Sequence, residues 1–203
     1  MTATALITHN LHLTHPLDSE LALRCRQGDK EAFGQLYARH EAAIFRYAFY
    51  LTGNRDDAAD IKQETFLRAY QAIAAFRAEA SLRTWLLKIC VNLCRDRVRS
   101  WSHRQLVYCE TPEHFVGFVA ANDPQRALED AHIIQTILRA LKGLSPAQRE
   151  VVVLHTIEGL DYPEIGRISG CSATTAKMRV FRARKCLKDR VFSMLQEGVC
   201  DEI

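Results

Sequence analysis

Between Ser172 and Arg190 the chain places Lys177, Arg179, Arg182, Arg184, Lys185, Lys188 and Arg190 against one acid, Asp189, although its formal net charge is only +3. Side chains of this type and density suit a polyanion: they displace the counterions condensed on a phosphate backbone, and hydroxyls or amines beside them can hydrogen-bond base edges. A basic run is also what a solvated helix face looks like, so the residues ahead of it decide. Tyr162 to Ser169 reads as a two-turn helix with Ile165 and Ile168 inward, and Gly170, Cys171 and Ser172 make a tight turn, with Gly170 permitting the turn and Ser172 capping the second helix. Short helix, turn, basic helix is the order of a helix-turn-helix, whose second helix enters the major groove by its amino-terminal end. Ala176, Val180, Ala183 and Leu187 recur at intervals of four, three and four and turn inward. Ser172, Thr174, Thr175, Lys177, Met178, Arg179 and Arg182 are left as the candidate duplex contacts.

A second basic patch lies far from the first. From Arg83 to Arg104 there are six basic residues to one acid, Asp96, and Lys88, Asn92, Arg95 and Arg99 share a face opposite Leu82, Trp85, Leu86, Ile89 and Leu93. Upstream, Asp56, Asp60, Gln63, Glu64 and Leu67 follow one helical stripe. Three carboxylates, an amide and a leucine would normally be a solvated face. Leu67, an apolar side chain in an acidic row, points instead to docking on a basic partner helix.

The elements that must carry these residues read almost entirely as helix. An Asp18/Ser19 start and a Gly28 stop bound a short first helix; a second runs from Asp29 to about Thr52 and ends at Gly53, the usual left-handed cap position. A third begins at Asn54 and buries Ala58, Ile61, Phe66, Ala69 and Ile73, and Ser81 caps a fourth. Arg104 to Asp123 holds a proline, a glycine and no sustained period, which reads as a linker. Beyond it Asp123, Pro124 and Gly143 bound another helix, and "SPAQ" at Ser145 and "DYPE" at Asp161 fit the capping box. The expected fold class is all-α: two small helical domains joined by a flexible linker, the carboxy-terminal one containing the helix-turn-helix. The expected divisions are a flexible tail at 1–16, a first domain at 17–103, the linker at 104–123, a second domain at 124–192 and a tail at 193–203. Twenty linker residues reach at most about 70 Å, about two turns of duplex at ~34 Å per turn.

At 203 residues, 48% hydrophobic and 25% charged, the chain is neither disordered nor membrane-spanning in composition. Its start lacks a basic, then apolar, then small-residue cleavage pattern, so a cytoplasmic location is expected. The seven cysteines lack the paired spacing of a zinc site, and Cys90 and Cys94 share a helix face as packing residues. His9, His12 and His15 lie in the expected tail with no carboxylate or thiol beside them. Nucleophile elbow, phosphate loop and glycine fingerprint are all absent from the sequence, so no enzyme, cofactor, metal or small-molecule substrate is expected.

"GLDYPEIGRISGCSATTAKMRVFRARKCL", preceded by "LSPAQREVVVLHTIEG", closely resembles the carboxy-terminal domain of bacterial extracytoplasmic-function (ECF) sigma factors. "DDAADIKQETFLRAYQAIAAFR", followed by "SLRTWLLKICVNLCRDRVR", resembles their amino-terminal domain. The two cover most of residues 20 to 190 in the family's order. The resemblance implies a subunit of RNA polymerase that confers promoter specificity and assists DNA opening. It assigns Asp56, Asp60, Gln63, Glu64 and Leu67 to the clamp helices of the polymerase beta-prime subunit. Phe76, Arg77, Ser81, Lys88, Asn92, Arg95 and Arg99 fall to the single strand of the minus 10 element, and the carboxy-terminal helix to the minus 35 duplex. The beta flap and an anti-sigma factor are further implied partners. This sequence departs from the family's commoner "S-x-G-T-V-K-S-R" at Thr174, Ala176 and Met178, so no promoter sequence carries over; Gly166 stands where alanine is common and is expected to loosen its helix. From another class, a free-standing regulator with a ligand-sensing helical domain and the same helix-turn-helix stays open. Tight operator binding without polymerase would distinguish it.

Overall fold

The computed structural model describes residues 16–101 and 124–200, with side chains for 18–100 and 133–193. The linker, the three tail histidines, Cys109 and the expected Asp123 cap lie outside the described residues. Among those residues every regular element is helical.

The first unit contains α1 (Pro16–Arg26), α2 (Lys30–Thr52), α3 (Arg55–Ala72), a short 3-10 turn (Ile73–Ala75) and α4 (Leu82–Trp101). α1 starts ahead of the expected Asp18/Ser19 cap, because proline needs no amide partner in a first turn, and Asp18 instead reaches Arg39 (2.7 Å) and His40 (3.1 Å) on α2. The other boundaries are set by their caps. Asp29 accepts from the Glu31 and Ala32 amides at 2.9 and 3.0 Å, and Asn54 from the Asp57 amide at 2.8 Å. Gly53 closes α2 at φ 69°, where a side chain would be strained. Leu36, Ile44, Tyr47, Phe49, Leu86 and Leu87 fill the core between α2, α3 and α4.

α4 is more enclosed than its periodicity indicates. Leu82, Leu86 and Leu93 are buried as expected, but Trp85 and Ile89 are only half-buried, while Leu87, Cys90, Val91 and Cys94 are fully buried. The reason lies outside the first unit: α4 meets α2 and α3 on one side and α6 and α7 on another.

The second unit consists of α5 (Pro124–Lys142), α6 (Pro146–Val152), a π-helical turn (Val153–Ile157), α7 (Tyr162–Ser169) and α8 (Ala173–Cys200). Both capping boxes form, at Ser145 with Gln148 and at Asp161 with Glu164. The π turn has no counterpart in the sequence reading; it ends at buried Glu158 and the left-handed Gly159. α8 continues to Cys200, past the expected boundary at 192, because no proline interrupts it. Arg149 ties the units at backbone level: it donates to the carbonyls of Leu141 and Lys142 at the end of α5 (3.0 and 3.2 Å) and to that of Leu51 in α2 (3.1 Å).

Candidate nucleic-acid interface

The helix-turn-helix is built by close backbone approach. Gly170 takes φ 67°, and the Cys171 amide donates to the Gly166 carbonyl at 2.9 Å. A Cβ on Gly166 would stand 2.6 Å from the Cys171 carbonyl oxygen. The glycine therefore lets the turn fold back on α7, and the expected loosening gives way to a packing requirement. The Ser172 hydroxyl accepts from the Thr175 amide at 3.1 Å and lies 2.9 Å from its hydroxyl, so these two side chains are already paired at the start of α8. Ala176, Val180 and Ala183 are buried and Leu187 half-buried, whereas Thr174, Lys177, Met178, Arg179 and Arg182 are exposed. The cations of the run are exposed, and the guanidinium of Arg190 lies against Gly143 in the loop after α5. Exposed Phe181 and Phe192 interrupt the basic surface, with Arg184, Leu187, Lys188, Val191 and Phe192 lining a shallow apolar groove.

The stripe on α3 is also in place. Asp56, Asp60, Gln63 and Leu67 are exposed and Glu64 half-exposed, and the last four border a groove of about 670 Å³ with Leu93, Arg97 and Ser100 of α4. Leu67 is 53% exposed, so its apolar surface is available to a partner. Arg97 reaches across to Asp57 (3.3 Å) and Asp60 (3.2 Å), and Arg68 pairs with Glu64 (2.7 Å). The row of carboxylates is thus partly neutralised from within.

The third surface surrounds the loop between the 3-10 turn and α4. Phe76 is buried against the Trp85 ring, with centroids 5.1 Å apart, so it forms the floor of the site and does not project from it. Ala78 adopts φ 56°, an uncommon conformation for a residue with a Cβ. The Ser81 hydroxyl accepts from the Thr84 amide at 3.1 Å and starts α4. Arg77, Lys88 and Asn92 are exposed. Loop and helix enclose a cleft of about 390 Å³ lined by Phe76, Arg77, Thr84, Trp85 and Lys88, and by Arg167 and Ile168 from α7.

Arg95 and Arg99 are not free on this face. Arg95 makes a two-pronged bond to Glu150 (2.8 and 2.7 Å), which raises its already high pKa, and Arg99 pairs with Asp96 at 2.8 Å. Arg83 donates to Glu158 at 2.6 Å, and Arg46 grips the same carboxylate with two nitrogens at 2.9 Å each. Thr84 donates to Glu164 at 2.7 Å. Glu150, Glu158, Arg46 and Thr84 are absent from the sequence-based candidates. Their only trace in the sequence is carboxylates interrupting apolar runs, as in "REVVVLHTIEGL".

Among the described residues no three histidines, cysteines or carboxylates converge as a metal site. The Cys94 thiol is pushed far above its ordinary pKa by its hydrogen bond with Cys90 and by burial, which suits packing and not reactivity.

Comparison with known proteins places the chain in a family. Residues 36–104 match the model for sigma-70 region 2, and residues 134–187 that for sigma-70 region 4. The chain is 30% identical to the RNA polymerase sigma-H factor of Pseudomonas aeruginosa, over 92% of this chain and all of the relative. It is 27% identical to the ECF RNA polymerase sigma-E factor of Escherichia coli K12, over 88% and 96% of the two. Among solved structures it resembles CnrH in complex with the cytosolic domain of CnrY, with a TM-score of 0.67, 29% identity, and 87% and 98% of the chains covered. It also resembles RpoE of Bartonella quintana in complex with the anti-sigma factor NepR, with a TM-score of 0.61, 29% identity, and 79% and 96% covered. Matched in order by regions 2 and 4, and along nearly its whole length by a sigma-H factor, the chain belongs to the ECF group of the sigma-70 family.

Proposed function

We propose that this ECF sigma factor divides its work between three surfaces. As a member of its family it binds core RNA polymerase and directs it to promoters, acting by binding and not by catalysis. The α3 stripe of Asp56, Asp60, Gln63, Glu64 and Leu67 docks on the beta-prime clamp helices. The cleft floored by Phe76, with Arg77, Ser81, Lys88 and Asn92 around it and Arg95 and Arg99 further along α4, takes the melted strand of the minus 10 element. Unstacking a base costs a few kcal/mol, which a shaped pocket and nearby cations offset. The exposed start of α8, Ser172, Thr174, Thr175, Lys177 and Met178, reads the minus 35 duplex, while Arg179 and Arg182 neutralise phosphates. The beta flap holds the second unit at the required span.

The observation that carries this reading is the exposure of an acidic stripe with an apolar centre on α3 together with a hydroxyl- and cation-bearing helix start on α8, on the two units matched by regions 2 and 4. Because two solved relatives are held by CnrY and by an anti-sigma factor, we extend control by an anti-sigma factor to this chain, in the cytoplasm where core polymerase works. We retain 17–103 and 124–192 as the two working domains, with 104–123 as their tether. Co-purification with core polymerase tests the docking surface. The wild-type chain is expected to associate stably, and the Asp60→Lys, Glu64→Lys double variant to lose association while keeping its helical content; retained association would reject the docking assignment.

A further inference from the structure

Two features of this chain are left over by the three surfaces, and both fall largely outside the two matched regions. α8 runs on past residue 187, where the region 4 match ends, and there Arg184, Leu187, Lys188, Val191 and Phe192 line an apolar groove of about 360 Å³. Phe192 is 61% exposed, Leu187 and Val191 are half-buried, and Arg184 and Lys188 stand exposed at the border. An aromatic surface left to water on a basic helix end suits a cover that is apolar in the middle and acidic beside it. The second feature is the stretch between the matches. Residues 113–119 read "EHFVGFV", and residues 110–123 hold three carboxylates, Glu110, Glu113 and Asp123, with neither lysine nor arginine. A tether that only spans distance is built from polar, glycine or proline residues, because apolar side chains gain nothing in water. Phe115, Val116, Phe118 and Val119 need a surface to bury them.

Connectivity puts the two within reach. α5 begins directly after residue 123 and is 19 residues long, about 28 Å at ~1.5 Å per residue. The loop at its far end meets Arg190 of α8 through Gly143. Residues 115–123 span about 31 Å when extended, so the stretch is long enough to run back along α5 to the level of Arg190. We propose that residues 113–119 dock in the α8 groove of their own chain, with Phe115 and Phe118 covering Leu187, Val191 and Phe192 while Glu110 and Glu113 face Arg184 and Lys188. Docking leaves residues 102–112 as the tether between the units, with a reach of about 38 Å in place of about 70 Å. A tether shortened to about one turn of duplex narrows the range of spacings over which both units can hold DNA at once. That consequence rests on the proposed function; the docking itself does not.

Limited digestion of the full chain with chymotrypsin, which cuts after accessible phenylalanines, tests the docking without polymerase or DNA. In the wild type the bonds after Phe115 and Phe118 should be cut slowly. Phe192→Asp puts a charge of the segment's own sign on the groove, and it should speed both cuts by at least about tenfold as the undocked fraction rises, with helix content unchanged by circular dichroism. Lys188→Glu should act in the same sense, and adding Glu113→Lys to it should restore the slow rate, which a general loosening of α8 would not do. Equal rates in the wild type and in folded Phe192→Asp and Lys188→Glu chains, whether fast or slow, would overturn the docking. So would a Lys188→Glu chain whose fast cleavage survives the added Glu113→Lys. Protection that fades as the chain is diluted would give the groove to a second copy and overturn the assignment to the chain's own segment. Because no arm uses polymerase or a promoter, these failures would leave the sigma reading untouched.

Discussion

At the scale of single residues, two positions carry demands that composition alone does not express. Gly166 is required because the chain folds back on it, and Gly166→Ala drives a methyl into the Cys171 carbonyl. Such overpacking costs about 1–3 kcal/mol, so a lowered thermal midpoint and weakened duplex binding are expected together. An unchanged midpoint in a melting experiment would show that the turn can give. Tyr47 makes the opposite case. Its hydroxyl is buried with no hydrogen-bond partner among the described residues, and burial holds its pKa well above the ordinary value. Removing an unmet polar group costs nothing in lost bonds, so Tyr47→Phe should match or exceed the wild type in stability by about 1 kcal/mol. A clear loss on denaturant unfolding would mean that the hydroxyl is bonded after all.

At the scale of elements, caps and inward repeats were legible in the sequence because they depend on neighbours three or four residues away. Asp29, Asn54, Ser145, Asp161, Gly53 and Gly170 act where their types imply. What was not legible depends on distant chain: the π turn, the start of α1, and the second buried side of α4. α1 illustrates the point, since Asp18 leaves the role of helix start to reach Arg39 and His40. Burial pushes the Asp18 carboxyl up, but the close approach of His40 and the hydrogen bond from Arg39 more than offset it, and its pKa falls below 3.8. A depressed carboxyl contributes stability above the unfolded-state pKa and loses it as pH drops through the folded value. The α1–α2 contact should therefore hold at neutral pH and weaken only below about pH 3.8, and Asp18→Asn should flatten that acid limb in a stability-versus-pH series. On α8, the exposed Arg179 and Arg182 are each expected to contribute about one unit to the salt dependence of duplex binding. Arg179→Ala and Arg182→Ala should weaken binding uniformly across sequences, and an unaltered salt slope would remove either from the phosphate contacts.

At the scale of the whole molecule, the two helical units and their order followed from the sequence, whereas their mutual packing did not. A run such as "REVVVLHTIEGL" shows that Glu150 and Glu158 interrupt apolar residues, but the arginines that meet them lie 55 and 75 to 112 residues away. The candidate site was legible to the same extent. The exposed stripe on α3 and the outward face of α8 follow from helical spacing, while the engagement of Arg95 by Glu150 needs the tertiary arrangement. Both units belong to the sigma-70 family, and the proposed function requires both together with core polymerase. Transcription in a purified system tests this most directly, using core polymerase, this chain and genomic DNA fragments, with transcript starts mapped. Discrete starts that need the chain and vanish with the Asp60→Lys, Glu64→Lys variant are predicted; tight operator binding by the chain alone, with no start that depends on it, would contradict the account.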